Sequence, residues 1–423
     1  MFDQQGLQDG LDLVAILAKT NQIRALEHVV TELSSAFADN AGAFRALAFV
    51  LNTNDRFAEA FGIATRGLTV DPTHPLLHHN AARALSIRGR TVEGRPYSAE
   101  AARLLPDNPQ LQFHFAGVQL ALGEYAEGWK RYKWFYEIPS NEILRVRPAF
   151  PEWNGESVAG CEFLLVGEQG CGDQIQFLRF ADWLHKQGAT VDVLVSEPVA
   201  VLAAGLKSVR TVFTAMPAGP YSYWCYMFRM PEHVNLDLQM LPVVMPYLSA
   251  SGERRELWKT HIDAMSSAAK KKRIGFVWAG SPIHPLDRFR SMQLDALRPL
   301  FAFTDITWFS LQKGGRERDA ESLSGEFDVQ TLGPEIADFT DTLAILHALD
   351  LLITVDTSVA HLAGAAELPV WTLVPANTEW RWLTGRTDSP WYPSMRIFRQ
   401  RELGDWESVI EDVKCALLEW SGT

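Results

Sequence analysis

Cysteine is scarce in this chain of 423 residues. The four present are Cys161, Cys171, Cys225 and Cys415; none forms a C-x-x-C pair, and none has a histidine at zinc-finger spacing. That scarcity argues against a disulfide scaffold or a structural zinc and points to a reducing, cytoplasmic setting. Cationic excess is missing too. Lys and Arg number 39 against 51 Asp and Glu, a formal charge of −12, so whole-chain binding to nucleic acid or to an anionic membrane is not expected. No apolar run reaches the ~18 residues of a spanning helix. The acidic opening MFDQQGLQDG has neither the basic stretch nor the apolar core of a signal peptide. Apolar residues are plentiful at 47%. They suffice for cores in the roughly three domains that the length suggests at about 150 residues each.

A fixed step of 34 runs through the first third. Pro75-Leu-Leu77 returns as Pro109-Gln-Leu111; Ala48, Ala82 and Ala116 keep the same step, as do Gly89 and Gly123, and Ala60, Gly94 and Gly128. Small residues at a constant offset mark the places where the two helices of a repeat pack closely. The best copy, Leu120-Ala-Leu-Gly-Glu-Tyr-Ala-Glu-Gly-Trp-Lys-Arg-Tyr132, follows Asp107-Asn-Pro109 and resembles a tetratricopeptide repeat. Three copies are expected near 41–74, 75–108 and 109–142. Residues 7–40 read as a degenerate first copy or a cap. A generic helical bundle is the alternative, and the shared register of four positions favours repeats.

Near residue 147 the period changes. Pro148, Pro151 and Trp153-Asn-Gly155 end the helical pattern, and short apolar runs then alternate with amphipathic ones. Strands are expected at 163–166, 190–195, 274–278, 306–311, 329–332, 351–355 and 370–374. Helices are expected at 174–186, 198–206, 253–269 and 405–420, and 217–247 reads as a stretch rich in Pro and aromatics. Strands alternating with helices predict parallel sheets covered on both faces. The basic run Lys270-Lys-Lys-Arg273 reads as a solvated linker before a strand. The expected organisation is therefore an α-helical repeat domain (1–146) and two Rossmann-like α/β domains (147–270 and 271–423) facing a cleft.

Two strand ends carry chemistry. The first runs into Gly167-Glu-Gln-Gly170-Cys-Gly172-Asp173. It fails as a dinucleotide fingerprint, because Ile175 stands where the third glycine belongs, and as a P-loop, because Asp173 occupies the lysine position. What remains is a glycine-rich turn presenting one carboxylate at a helix N-terminus, either as a cap or as a reactive group. The second is the strand Leu351–Val355, ending in Asp356-Thr357-Ser358-Val-Ala-His361-Leu-Ala-Gly364. Free N–H groups at that helix start, with the Thr357 and Ser358 hydroxyls, suit a diphosphate. His361 lies one turn on, within reach of the same group or serving a structural role. Arg288 and Arg290 follow a third strand end, and Gln312 and Lys313 a fourth; all four are expected to bind the diphosphate. Trp380 and Arg381, next to Trp382, form a candidate wall for a ligand's base or sugar, with core packing as the alternative.

The run Gly170-Cys-Gly-Asp-Gln-Ile-Gln-Phe-Leu-Arg179 resembles the acceptor-side motif of bacterial tetratricopeptide-repeat glycosyltransferases, relatives of the heptosyltransferases of glycosyltransferase family 9. Gly275-Phe-Val-Trp-Ala-Gly280, Phe309-Ser-Leu-Gln-Lys-Gly314, Asp356–Gly364 and Asp388-Ser-Pro-Trp-Tyr-Pro393 resemble the same family in the same order. The resemblance spans roughly residues 150–400 plus the repeats. It implies a GT-B fold whose C-terminal half binds a nucleotide sugar. It also implies that Asp173 aligns with the general base, and Asp356, Thr357 and His361 with the nucleotide-sugar motif. The chain departs from the family at Pro285-Leu-Asp-Arg-Phe-Arg290, where Lys-Asn-Asp-Arg-Asn-Arg is usual. The expected activity is inverting transfer from a nucleoside-diphosphate sugar, with no essential metal and no cofactor, to a protein or peptide held by the repeats. The alternatives are a surface polysaccharide acceptor, with the repeats serving homo-oligomerisation, and a noncatalytic scaffold that senses a nucleotide.

Overall fold

Proline and asparagine start the N-terminal helices at a constant step. The computed structural model describes residues 4–141, 147–241, 244–266, 272–377 and 379–421. It begins with α1 (Gln4–Lys19), α2 (Ile23–Ala36), α3 (Ala41–Thr53), α4 (Phe57–Val70), α5 (Pro75–Ile87), α6 (Thr91–Leu104), α7 (Pro109–Ala121) and α8 (Tyr125–Tyr132). Pro75 and Pro109 occupy first helical positions, where the missing N–H removes no helical bond. Asn40 and Asn108 cap α3 and α7 by accepting the N–H of Ala43 and Leu111. The turn within each pair needs one left-handed residue. Gly89 and Gly123 supply it at φ +78° and +81°, and Asp55 and Asn21 hold the same register at +62° and +54°. Asn and Asp are the side chains that visit this region most readily. Residues 7–40 therefore carry a helix pair with the turn of the later copies.

The small residues lie where the pairs close up. Ala48, Ala82 and Ala116 are fully buried, and a Cβ on Gly128 would stand 2.7 Å from Leu120 Cγ. Gly128→Val is expected to destabilise the protein by about 2 kcal/mol through overpacking. Thermal unfolding measures this, and an unchanged Tm would mean that the helices separate at no cost.

The helical unit is Met1–Ile143 together with Ala376–Thr384; the second unit is Leu144–Pro375 with Gly385–Thr423. The expected boundaries after 146 and 270 fall at 142–146 and 267–271, outside the described residues. So do Lys270 and Lys271 of the basic run, whereas Lys272 and Arg273 open a strand.

The second unit holds two all-parallel sheets. One contains β1 (Glu162–Val166), β2 (Thr190–Leu194), β3 (Val209–Phe213) and β4 (Tyr223–Tyr226), in the order β3-β2-β1-β4. The other contains β5 (Lys272–Val277), β6 (Ile306–Ser310), β7 (Val329–Thr331), β8 (Leu351–Val355), β9 (Val370–Val374) and β10 (Met395–Arg399), in the order β10-β9-β8-β5-β6-β7. Every residue of β6, β8 and β9 is buried, as expected of strands covered on both faces.

Three strands escape the sequence pattern. β3 and β10 lie at sheet edges and carry Arg210 and Arg396 facing solvent, so neither reads as a continuous apolar run. β4 is the aromatic Tyr-Trp-Cys-Tyr inside the Pro-rich stretch. The helix expected at 174–186 is two helices, α9 (Cys171–Phe177) and Arg179–Lys186, joined at Leu178.

Candidate functional site

An open parallel sheet binds ligands beyond the carboxyl ends of its strands, where the strand order reverses. In the first sheet that point lies between β1 and β4; in the second it lies between β8 and β5. The connections leaving β1, β5 and β8 are the three segments that carry the motifs.

The turn after β1 is tied down on three sides. Gly167 N–H donates to Leu194 O at 2.7 Å, the buried Glu168 accepts the N–H of Phe228 at 3.0 Å, and Gln174 Oε1 accepts from both Ser196 N and Oγ. Gln169 holds a left-handed φ of +61° within this turn. Asp173 is half-buried, and its Oδ2 reaches back to accept the N–H of Gly170 at 2.8 Å. The N-cap is Gly170 rather than Asp173; Asp173 closes the turn from the third helical position, and that bond fixes where the carboxylate sits.

After β8, Thr357 is the N-cap of α10 (Ser358–Ala365), yet its side chain makes no capping bond. Its hydroxyl pairs with Thr354 Oγ1 at 3.2 Å instead. The helix start is therefore not closed by its own cap, and the helix dipole favours an anion there. Asp356 and Ser358 are partly exposed beside it. His361 is buried at 4% exposure, with Nδ1 hydrogen-bonded to Tyr392 Oη at 2.9 Å. Its ring lies against α9: a Cβ on Gly172 would stand 2.9 Å from His361 Cδ2 and 3.4 Å from Ser358 Cα. The structure thus gives His361 a packing role that sets the spacing between α9 and α10. Tyr392 crowds Gly364 of α10. It also faces Arg179, a fully buried cation that donates to Trp391 O at 3.1 Å and to Tyr247 Oη at 3.3 Å.

The loop after β5 is a stapled turn. Ser291 Oγ accepts the N–H of Gly280 at 2.9 Å and donates to Asp287 Oδ1 at 2.8 Å, and Arg290 Nε donates to the same oxygen at 3.1 Å. Gln312 is committed to the backbone. Its Oε1 accepts the N–H groups of Trp278 and Ala279, while its Nε2 donates to Ala279 O and Lys313 O. It holds the loop rather than a ligand. Lys313 is turned to Gly333 O at 2.8 Å and Glu317 at 3.0 Å.

A cleft of about 500 Å³ opens here, with His284, Arg288, Asp287 and Arg316 among its lining residues. His284 feels the charges of Asp173, Asp356, Asp287 and Arg290. The carboxylates from β1 and β8 and the cations from β5 therefore share one neighbourhood. Burial and Arg290 hold the His284 imidazole below its usual value, with the carboxylates opposing.

Trp380 and Arg381 follow β9 in the chain. They belong to the helical unit, where Trp380 packs edge-on against Trp129 at 5.1 Å, the Arg381 guanidinium lies over Trp380 at 4.0 Å, and Thr384 N–H donates to Ala121 O at 3.0 Å. Trp380 and Trp382 are buried, at 8% and 1% exposure. Sequence reasoning missed His284 and Arg316, which are single residues in loops without periodicity. It also missed Tyr392 as a partner of His361, since only the tertiary fold brings the two together. Among the described residues, no group of three or more His, Cys, Asp or Glu is placed to hold a metal ion. No helix among them is long and apolar enough to cross a membrane.

No protein-family model matches the chain. Among curated proteins it is similar to Protein FlbA of Caulobacter vibrioides, at 25% identity over 383 residues, which takes in 84% of this chain and 63% of FlbA. The chain thus spans less than two thirds of that relative's length. Among solved structures it is similar to a glycosyl transferase family 9 protein from Veillonella parvula, at 12% identity and a TM-score of 0.45 over 63% of this chain and 100% of that one. It is also similar to E. coli ADP-heptose LPS heptosyltransferase II, at 14% identity and a TM-score of 0.43 over 62% of this chain and 99% of that one. The likeness that the motifs carry, to bacterial tetratricopeptide-repeat glycosyltransferases related to family 9, stands beside these matches.

Proposed function

We propose that this protein transfers a sugar from a nucleoside-diphosphate donor to an acceptor hydroxyl, with inversion, and that the acceptor is a protein recruited by the helical repeats. The observation that carries the reading is the shared neighbourhood of Asp173, Asp356 and His284 beside the cleft lined by Arg288 and Arg316. Glycosyl transfer needs a base for the acceptor proton and balance for the charge left on the departing diphosphate. Asp173 takes the proton as the new glycosidic bond forms. The open start of α10 and the cations Arg288 and Arg290 stabilise the leaving group. A single displacement of this kind inverts the anomeric centre. Stacked helix pairs offer an extended face suited to a protein chain, which is the reason to place a protein acceptor ahead of a polysaccharide.

The test is a nucleotide-sugar panel on the full-length protein, read by thermal shift and by donor hydrolysis. One donor is expected to stabilise the fold by about 2.7 kcal/mol at a hundredfold excess over its Kd and to be slowly hydrolysed. Stabilisation and hydrolysis by none of them would overturn the reading in favour of a scaffold acting through its repeats.

A further inference from the structure

We propose that His284 contacts the donor directly, its Nε2 hydrogen-bonding a phosphate oxygen of the departing nucleoside diphosphate. The inference rests on the donor reading above and deepens it by naming a contact that the motif comparison does not supply.

The local turn prepares the imidazole for this. His284 N–H donates to Ser281 O at 3.1 Å, and Asp287 N–H returns to His284 O at 2.9 Å. Nδ1 accepts the N–H of Leu286 at 3.2 Å. An imidazole nitrogen that accepts a backbone N–H carries no proton, so in the neutral ring the hydrogen sits on Nε2. Nε2 has no hydrogen-bond partner among the described residues, and the ring lines the 500 Å³ cleft with Arg288 and Arg316. The result is a positioned N–H donor in a cleft whose lining includes Arg288, Arg316 and Asp287, the Asp287 carboxylate being bonded by Arg290 and Ser291; an N–H donor beside two cations suits an oxyanion.

The charged groups around the ring come from three elements. Asp287 and Arg290 lie on its own segment, Asp173 on α9 and Asp356 at the end of β8, while Arg288 and Arg316 share the cleft. In the free protein, burial and Arg290 lower the imidazole's pKa from its ordinary 6.5, so the ring is neutral near pH 7. A diphosphate beside Nε2 favours the charged ring and raises its pKa. The sign follows. Binding takes up a proton, so affinity is greatest below the free-state value and falls as pH rises through the bound-state value.

The experiment titrates ADP, UDP and GDP calorimetrically into the full-length wild type, His284→Gln and His284→Ala between about pH 5.5 and 8.5. Glutamine keeps an uncharged N–H donor and removes the titration. His284 lies in a loop outside the sheet core, and thermal unfolding is the check that each variant is folded. The tightest nucleotide is expected to bind His284→Ala about tenfold more weakly at pH 7. The wild type is expected to lose about tenfold more affinity across the pH range than His284→Gln does, a difference from which the ligand's own titration cancels. If the three proteins bind with the same affinity and the same pH slope, the contact is refuted while the donor reading survives. If no diphosphate binds the wild type at any pH, the donor reading fails and the contact with it.

Discussion

Asp173→Asn is expected to slow sugar transfer by about 10²- to 10⁴-fold, the range of a lost general base, while leaving donor binding and the fold in place. The substitution is diagnostic because of what the carboxylate does locally. Oδ2 accepts the N–H of Gly170 at 2.8 Å, and an amide oxygen accepts the same bond, so the turn after β1 keeps its closure. What the amide lacks is basicity, together with the ~0.3–1 kcal/mol that an anion gains in the first turn of a helix. Asp173→Ala removes the cap as well and should lower stability by about 1 kcal/mol more than the asparagine variant does. The two rates should nevertheless be alike if proton acceptance is the main function. Transfer by Asp173→Asn at the wild-type rate would remove Asp173 from the mechanism and leave it only the cap.

How much of this was legible in the sequence depends on the kind of signal each element gives. The repeat unit announces itself through packing: alanines and glycines at a 34-residue step exist because neighbouring helices touch there, and the left-handed turn recurs in the same register. Even so, Asp55 and Asn21 hide that turn, because glycine is not the only residue that adopts it. The central strands β1, β5, β6, β8 and β9 are readable since both their faces are buried. The edge strands β3 and β10 mix charge with apolar residues and are not.

The site divides the same way. Asp173, Asp356 and Thr357 stand at strand ends next to glycine or hydroxyl residues, a local pattern with a local cause. Gln312 looked like a ligand contact from its place after β6, yet its four hydrogen bonds to backbone groups of the β5 loop and Lys313 arise only once β5 and β6 pair. Trp380 and Arg381 show the limit most clearly. They follow β9 in sequence but belong to the helical unit, where Trp380 packs on Trp129 and the nearby Thr384 bonds Ala121, partners far back in the chain that no spacing rule reveals.

The contact between α9 and α10 yields the second large effect. Gly172→Ala is expected to lower turnover by about 10- to 100-fold, since a displacement of about 1 Å near reacting groups costs on that order. The added Cβ meets His361 Cδ2 at 2.9 Å and Ser358 Cα at 3.4 Å. The imidazole has little room to yield: it is buried at 4% exposure, and its Nδ1 is held by Tyr392 Oη at 2.9 Å. Tyr392 is itself fully buried against Gly364. The strain therefore passes to the helices, separating the carboxylate of Asp173 from the start of α10, at about 1–3 kcal/mol of stability. His361→Ala alone leaves a void and is destabilising for the opposite reason. In the double variant the new methyl group occupies part of the space the ring vacated. The double variant's stability loss should then fall short of the sum of the two single losses by about 1–2 kcal/mol, the coupling expected of residues in direct contact. Measured by thermal unfolding beside turnover, strictly additive losses would show that the imidazole does not set this spacing. A Gly172→Ala variant with full turnover would show that the spacing does not govern the chemistry.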